Sequence, residues 1–327
     1  MRGTEAGRKK QLLFFSGVFI FLLLAGVTGA ADNNVLRYGF RIFLYITIGE
    51  MWNLLSGCSG MTSLGQQTFI GLSGYTLAIV TTTCKLPYAA GIIAGTALST
   101  LAALVLSLLL LRIDGMYFAI TTWVVAEALE TFFLSWTYVN RGAGMTVTAV
   151  PYPGIGQLYV MALILCAVSL ILVKAVLGSK LGTGIMAMRD DMQAAEASGV
   201  NVKKCKREVY IIAAAFTALA GSLFFLNKGT IYPESGFDIG WTISMVFIVI
   251  IGGSGTIEGP VAGAVVYVLL SEFLARYPGW SNIILGTLAI IMILFCPRGI
   301  VRSGIAERIG KRLPVPGKKK SRQSTEN

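Results

Sequence analysis

The chain has 327 residues, 55% hydrophobic and only 13% charged, with a mean hydropathy of +0.72 and a net charge of +11. An ordinary soluble domain carries about 25% charged residues, so this composition excludes a soluble fold of this size. Apolar runs of about 20 residues recur instead, the length that crosses roughly 30 Å of hydrocarbon.

The expected fold is an all-α polytopic membrane protein of about ten transmembrane helices, some of them broken or re-entrant, with one cytoplasmic amphipathic helix. Residues 1–10 form a cytoplasmic tail. The run that follows resembles a secretory signal in its basic start, but its apolar stretch exceeds the roughly 7–15 residues of a signal core and is taken as an uncleaved first span. The spans are expected at 11–31, 40–56, 65–84, 88–111, 115–136, 157–178, 208–227, 239–255, 259–275 and 280–296. Together they form one membrane domain over 11–302. Residues 303–327 are a basic tail without a hydrophobic pattern, expected to be disordered.

Lys and Arg set the orientation. Arg2, Arg8, Lys9 and Lys10 lie in the first tail. Lys180, Arg189, Lys203, Lys204, Lys206 and Arg207 lie in the loop 179–207, and nine more follow from Arg298 to Arg322. The positive-inside bias places these three segments and both termini in the cytoplasm, which agrees with an even number of spans. Basic residues held in tails and short loops are a topology signal, not a nucleic-acid surface. The longest outer loop, Thr137 to Gln157, is rich in Gly, Pro and Tyr and reads equally as a connector or a docking surface. Small residues recur three to four apart at Gly71–Ala78 and Gly259–Tyr267. This spacing lets helix backbones approach closely and forms a faint internal similarity.

Chemistry of the chain's own is sparse. Histidine is absent and the five cysteines are widely spaced, so neither a zinc site nor a disulfide framework is expected. No phosphate-loop motif occurs, and the chain is not expected to be an enzyme. Four carboxylates fall within the spans: Glu50, Glu127, Glu130 and Glu272. Glu127 and Glu130 are three apart and share a helix face. They suit a polar lining or a proton site, or bond to neighbouring helices; Glu50 and Glu272 lie nearer span ends, where water satisfies them. In the loop 179–207, Ile185, Met188, Met192, Ala195 and Gly199 form one apolar helical face. Gly199 is a natural helix end, and such a helix suits insertion into a partner's groove.

Four blocks carry a resemblance to a known family. They are WNLLSGCSGMTSLGQQTFIGLSGYTLAI (52–79), DGMYFAITTWVVAEAL (114–129), GTGIMAMRDDMQAAEASGVNVKKCKREVYIIAAAFTALAGSLFF (182–225), and MVFIVIIGGSGTIEGPVAGAVV (245–266) with FCPRGIV (295–301). In this order they resemble the M-type permease subunit of the branched-chain amino acid ABC importers. The resemblance implies a multi-pass protein of a bacterial or archaeal plasma membrane. It implies a second homologous permease, two ATP-binding subunits and an extracytoplasmic substrate-binding protein as partners. No cofactor is bound directly; ATP and Mg²⁺ are used by the partner subunits. In that scheme the third block holds the coupling helix, with Met188, Arg189, Asp190, Asp191, Met192, Ala195, Glu196 and Gly199 meeting an ATPase. Gln66, Gln67, Tyr117, Glu127 and Glu130 are candidates for the translocation path. Gln66 and Gln67 stand where the family often has His, Thr183 where it has Arg, and Met192 where it has Glu. Urea and short-chain amide importers share these blocks, as do importers of other amino acids. A different class, a proton-coupled secondary transporter using Glu127 and Glu130, is the competing reading.

Overall fold

The computed structural model describes residues 32–148 and 151–274, with 284, 286 and 287. The expected spans 11–31 and 280–296, both tails and the block 295–301 lie outside the described residues. The described fold is helical apart from one two-residue ladder. In chain order it runs α1 (Asn33–Trp52), a π-helical turn (Asn53–Cys58), α2 (Gln67–Thr82), α3 (Tyr88–Leu110), α4 (Gly115–Ser135), a 3₁₀ turn (Thr137–Val139) and β1 (Met145–Thr146). Then come α5 (Ile155–Leu177), α6 (Lys180–Asp190), α7 (Met192–Ala197), α8 (Val202–Lys228), β2 (Thr230–Ile231), α9 (Pro233–Gly236), α10 (Gly240–Gly252) and α11 (Glu258–Leu274).

Among the described residues five helical stretches are long and apolar enough to cross a membrane: Tyr88–Leu110, Gly115–Ser135, Ile155–Leu177, Val202–Lys228 and Pro233–Gly252. The expected spans 40–56, 65–84 and 259–275 are also helical, as α1, α2 and α11. α1 starts seven residues before its expected run and takes in Arg37; Arg41, inside that run, is held by an ion pair to Glu272 on α11. α2 is shorter than its span. The chain after the π-helical turn is extended and folds back into the bundle, where Trp52 Nε1 donates to Ser63 O (2.9 Å) and Leu64 N donates to Thr122 Oγ1 on α4 (3.1 Å). α2 therefore begins inside the protein, with Gln66 and Gln67 fully buried.

Small residues set the packing. Along α3, Gly91, Gly95, Ser99, Ala103 and Ser107 recur every fourth residue and are buried, while Ile93, Leu98, Leu101, Leu104, Val105, Leu108 and Leu109 are exposed. A seam of small residues lets one helix lie close to another in lipid, where large side chains gain nothing by leaving the hydrocarbon. The seam is close enough that a Cβ on Gly95 would stand 2.7 Å from the Ser73 carbonyl oxygen of α2. The small faces of α2 and α11 act likewise: Gly71 lies against Phe237, and Gly263 against the Ile248 carbonyl of α10. Both are ordinary close-packing seams.

The two ends of the bundle differ. At one, which we call the basic end, the π-helical turn, the α3–α4 joint, α6, α7 and the α10–α11 turn meet: Lys206 is paired with Asp114, and Asn53 is bonded to the 253–257 turn. At the other, β1 pairs antiparallel with β2, Met145 opposite Ile231 and Thr146 opposite Thr230. Thr82 donates to Thr146 O and the Tyr152 hydroxyl to Leu226 O, so the loop after α4 is clamped onto the ends of α2 and α8. Burial there pushes the Tyr152 phenol above its ordinary pKa.

Candidate functional site

The single helix expected over 185–199 is instead two, α6 and α7, and α8 already begins at Val202 within the loop expected over 179–207. Ser179 opens α6, its hydroxyl accepting from Gly182 N at 3.4 Å. Asp191 then leaves helical geometry (φ −155°, ψ 111°), and its Oδ1 accepts from Gln193 N (2.9 Å) and Ala194 N (3.0 Å). A carboxylate in this position satisfies the free amides of a helix start, so the Asp191 cap divides the expected helix. α7 ends at Ala197, and Gly199 takes the left-handed φ of +87° that follows it.

The apolar face of this pair is turned into the protein. Ile185 and Met188 are buried with Met51, Leu54, Leu55, Val176, Val209 and Tyr210, and Ala195 is buried as well. Of the eight coupling candidates, Met188 and Ala195 are thus covered by the chain itself and Met192 is half-buried. Arg189, Asp190, Asp191, Glu196 and Gly199 are exposed, together with Met186, Gln193, Ala194, Ala197 and Ser198. What the protein presents at its basic end is a small, mostly polar surface held rigidly from behind.

The five path candidates do not come together. Gln66 and Gln67 sit at the centre of the bundle, where Thr217 of α8 donates to Gln66 Oε1 (3.5 Å) and Thr242 of α10 donates to Gln67 Oε1. Their amide nitrogens have no partner among the described residues, nor do the hydroxyls of Thr68 and Ser222. Tyr117, Glu127 and Glu130 lie on α4. Tyr117 and Glu127 are exposed, and Glu130 is half-buried. The Trp123 indole donates to Glu127 Oε1 at 2.9 Å. Glu130 lies within electrostatic reach of Glu127, Glu234, Asp238 and the buried Tyr75, at the clamp end. α4 thus presents to its surroundings a face that combines Tyr117, Ile120, Trp123 and Val124 with a carboxylate. Intramembrane charge of this kind faces a cavity or a partner and not lipid.

Of the other two acids, one agrees with the expected bond to a neighbouring helix and the other departs from expectation. Glu272 is paired with Arg41. Glu50, expected near a wet span end, is fully buried without a hydrogen-bond partner among the described residues. Asn53, one turn beyond it, was not singled out by the sequence, yet its side chain joins the π-helical turn to the 253–257 turn: Oδ1 accepts from Gly255 N (2.8 Å) and Nδ2 donates to Thr256 O (2.9 Å). Its one signal was an amide side chain within an otherwise apolar run. Among the described residues no group of three or more Cys, Asp or Glu could hold a metal ion, and Cys58, Cys84, Cys166 and Cys205 are free thiols.

The family model described as branched-chain amino acid transport system / permease component matches residues 34–296. The high-affinity branched-chain amino acid transport system permease protein LivM of Escherichia coli K12 is 25% identical over 323 residues, covering 89% of this chain and 75% of that protein. LivM of Salmonella typhimurium is 26% identical over 289 residues, 79% of this chain and 68% of its own. BraD, a high-affinity branched-chain amino acid transport system permease protein of Pseudomonas aeruginosa, is 28% identical over a shorter stretch of 133 residues, 40% of this chain and 43% of its own. No solved structure matches.

Proposed function

The chain belongs to the branched-chain amino acid transport permease family, and we propose that it is the permease subunit of an ATP-driven importer that moves branched-chain amino acids inward. It crosses the membrane about ten times with both termini in the cytoplasm, so the basic end faces the cytoplasm. ATP and Mg²⁺ are used by two separate subunits, a second homologous permease completes the path, and a binding protein delivers solute at the clamp end. Residues 1–10 and 303–327 are tails on a single membrane domain.

The observation that carries this reading is the construction of α6 and α7. Their apolar side is fixed in the chain's own core by Ile185, Met188 and Ala195, while Asp190, Asp191, Gln193, Ala194, Glu196 and Ser198 face outward. A rigid helical corner at a membrane protein's basic end suits the transfer of force from a partner. Its exposed Asp190, Asp191 and Glu196 stand beside the exposed Arg189 and suit a partner that offers charges of both signs. The outward face of α4 fits the wall of a path completed by the second permease, with Tyr117, Glu127 and Glu130 along it.

The test is uptake by the assembled importer in proteoliposomes. ATP-dependent uptake of radiolabelled leucine is expected, competed by isoleucine and valine and not by urea, and abolished by an inactive ATPase partner. Ala194→Arg and Glu196→Arg are expected to insert normally and to lose co-purification of the ATPases. Uptake by the permease alone, driven by a proton gradient, overturns the reading. Competition by urea moves the substrate to the amides.

A further inference from the structure

We propose that Arg189 carries the movement of the α6–α7 corner to three membrane helices through a glycine-lined seat formed by Gly57, Gly60 and Gly255 and pinned by Asn53. The inference rests on the proposed docking of an ATPase at that corner and names where its push arrives.

Arg189 stands in the last turn of α6, one residue before the helix ends. Its backbone rests on Gly60: a Cβ at Gly60 would lie 3.5 Å from Arg189 Cα and 3.6 Å from its Cγ. Its guanidinium lies over Gly255, where a Cβ would stand 2.7 Å from Nη1. One side chain thus touches both the turn between α1 and α2 and the turn between α10 and α11. No salt bridge holds it among the described residues. What holds it is packing against backbone, a contact that suits the flat, weakly hydrated guanidinium and not a rounded ammonium.

The two turns are themselves fastened together. Gly255 N donates to Asn53 Oδ1 at 2.8 Å and Asn53 Nδ2 donates to Thr256 O at 2.9 Å, and Asn53 is fully buried. Gly57 permits this approach: a Cβ there would stand 2.8 Å from Gly255 N and 2.2 Å from Asn53 Oδ1. Gly255 has a φ of +77°, open to glycine with little strain. Asn53 and Gly57 both lie in the π-helical turn that ends α1, and expanded turns of this kind recur at functional sites. A displacement of α6 therefore reaches α1, α10 and α11 together. Arg189 is a positioning residue: it acts through the seat and touches no solute.

The experiment uses the whole importer in proteoliposomes and measures solute moved per ATP hydrolysed, with ATPase co-purification scored separately. Arg189 is exposed, so its variants leave the core untouched. Arg189 is among the residues expected to meet an ATPase, but its side chain is turned onto the Gly60 and Gly255 turns; Arg189→Ala is therefore expected to retain both ATPase subunits and hydrolysis within about twofold of the parent, and to lower solute moved per ATP at least tenfold. Arg189→Lys is expected to restore little. An unchanged ratio in Arg189→Ala overturns the proposal. Loss of the ATPases overturns it as well, since Arg189 would then be part of the docking surface. Full rescue by lysine removes the packed guanidinium from the mechanism. Failure of the underlying functional reading would show separately, as parental uptake that does not depend on ATP.

Discussion

Replacing Gly263 with alanine tests the seam between α10 and α11. The added Cβ would stand 2.0 Å from the Ile248 carbonyl oxygen, 2.8 Å from its carbon and 3.2 Å from Gly252 N. Carbon–oxygen contacts across helix pairs settle at about 3.3 Å or more. All three obstacles are backbone, so no side chain can swing aside, and α11 must retreat by more than about 1 Å. A gap of this size forfeits roughly a quarter to half of the dispersion energy of each contact along the seam. Overpacking of a well-filled site costs about 1–3 kcal/mol, and the rigid obstacles here place Gly263→Ala near the upper figure. The assay is thermal unfolding of the purified protein in detergent, followed by tryptophan fluorescence. At about 2–4 °C per kcal/mol for a large domain, the midpoint falls by roughly 5–10 °C. Gly154→Ala is the control, because a Cβ there meets nothing within 4 Å. If the two variants melt together within about 2 °C, the reasoning that close backbone approach holds α10 to α11 is wrong.

Three further outcomes follow from the same coordinates. Lys206 is 5% exposed in its side chain and its partner Asp114 57%, so removing the outer partner strands a buried ammonium while removing the inner one leaves a wet carboxylate; Asp114→Asn should lower the melting midpoint more than Lys206→Met, and the reverse order would refute the asymmetry. Cys84 is exposed at the clamp end while Cys58 and Cys166 are buried. A membrane-impermeant maleimide should therefore label Cys84 in intact cells, and labelling of Cys84 only after permeabilisation would invert the orientation. Glu127→Gln should fold normally and reduce solute uptake several-fold, because its carboxylate faces outward from α4; unchanged uptake would take Glu127 off the path.

The long helices were legible because an apolar run of span length has few other fates. α3, α4 and α5 lie within a residue or two of the runs that predict them. Departures occur where a polar group has a partner distant in sequence. Arg41, inside the run expected from 40, is paired with Glu272, 231 residues away. α10 begins within a residue of the run expected over 239–255 and stops three residues short of its end, at Gly252. The division of α6 from α7 was readable in principle, since Asp191 stands two residues before the amide that it caps. The ladder β1–β2 was not: two residues on each side carry no periodicity. Of the candidate site, the surface of the 179–207 segment was legible and its orientation was not, because an apolar face reads the same whether it serves the chain or a partner. The Asn53–Gly255 contact spans 202 residues, and no local pattern points to it.

α8 runs unbroken for 27 residues, about 40 Å, and its two ends are tied to different things. One end carries Lys206 and adjoins α7; the other enters β2, where the Tyr152 hydroxyl and the β1 ladder grip it. Such a strut gives the two ends of the bundle a route for coupling, and any coupling between them is reciprocal. If a ligand that tightens the clamp alters affinity at the far corner by some factor, an occupant of that corner must alter affinity at the clamp by the same factor. The two ends then read one another in both directions, and a variant that softens α8 midway lowers both responses equally.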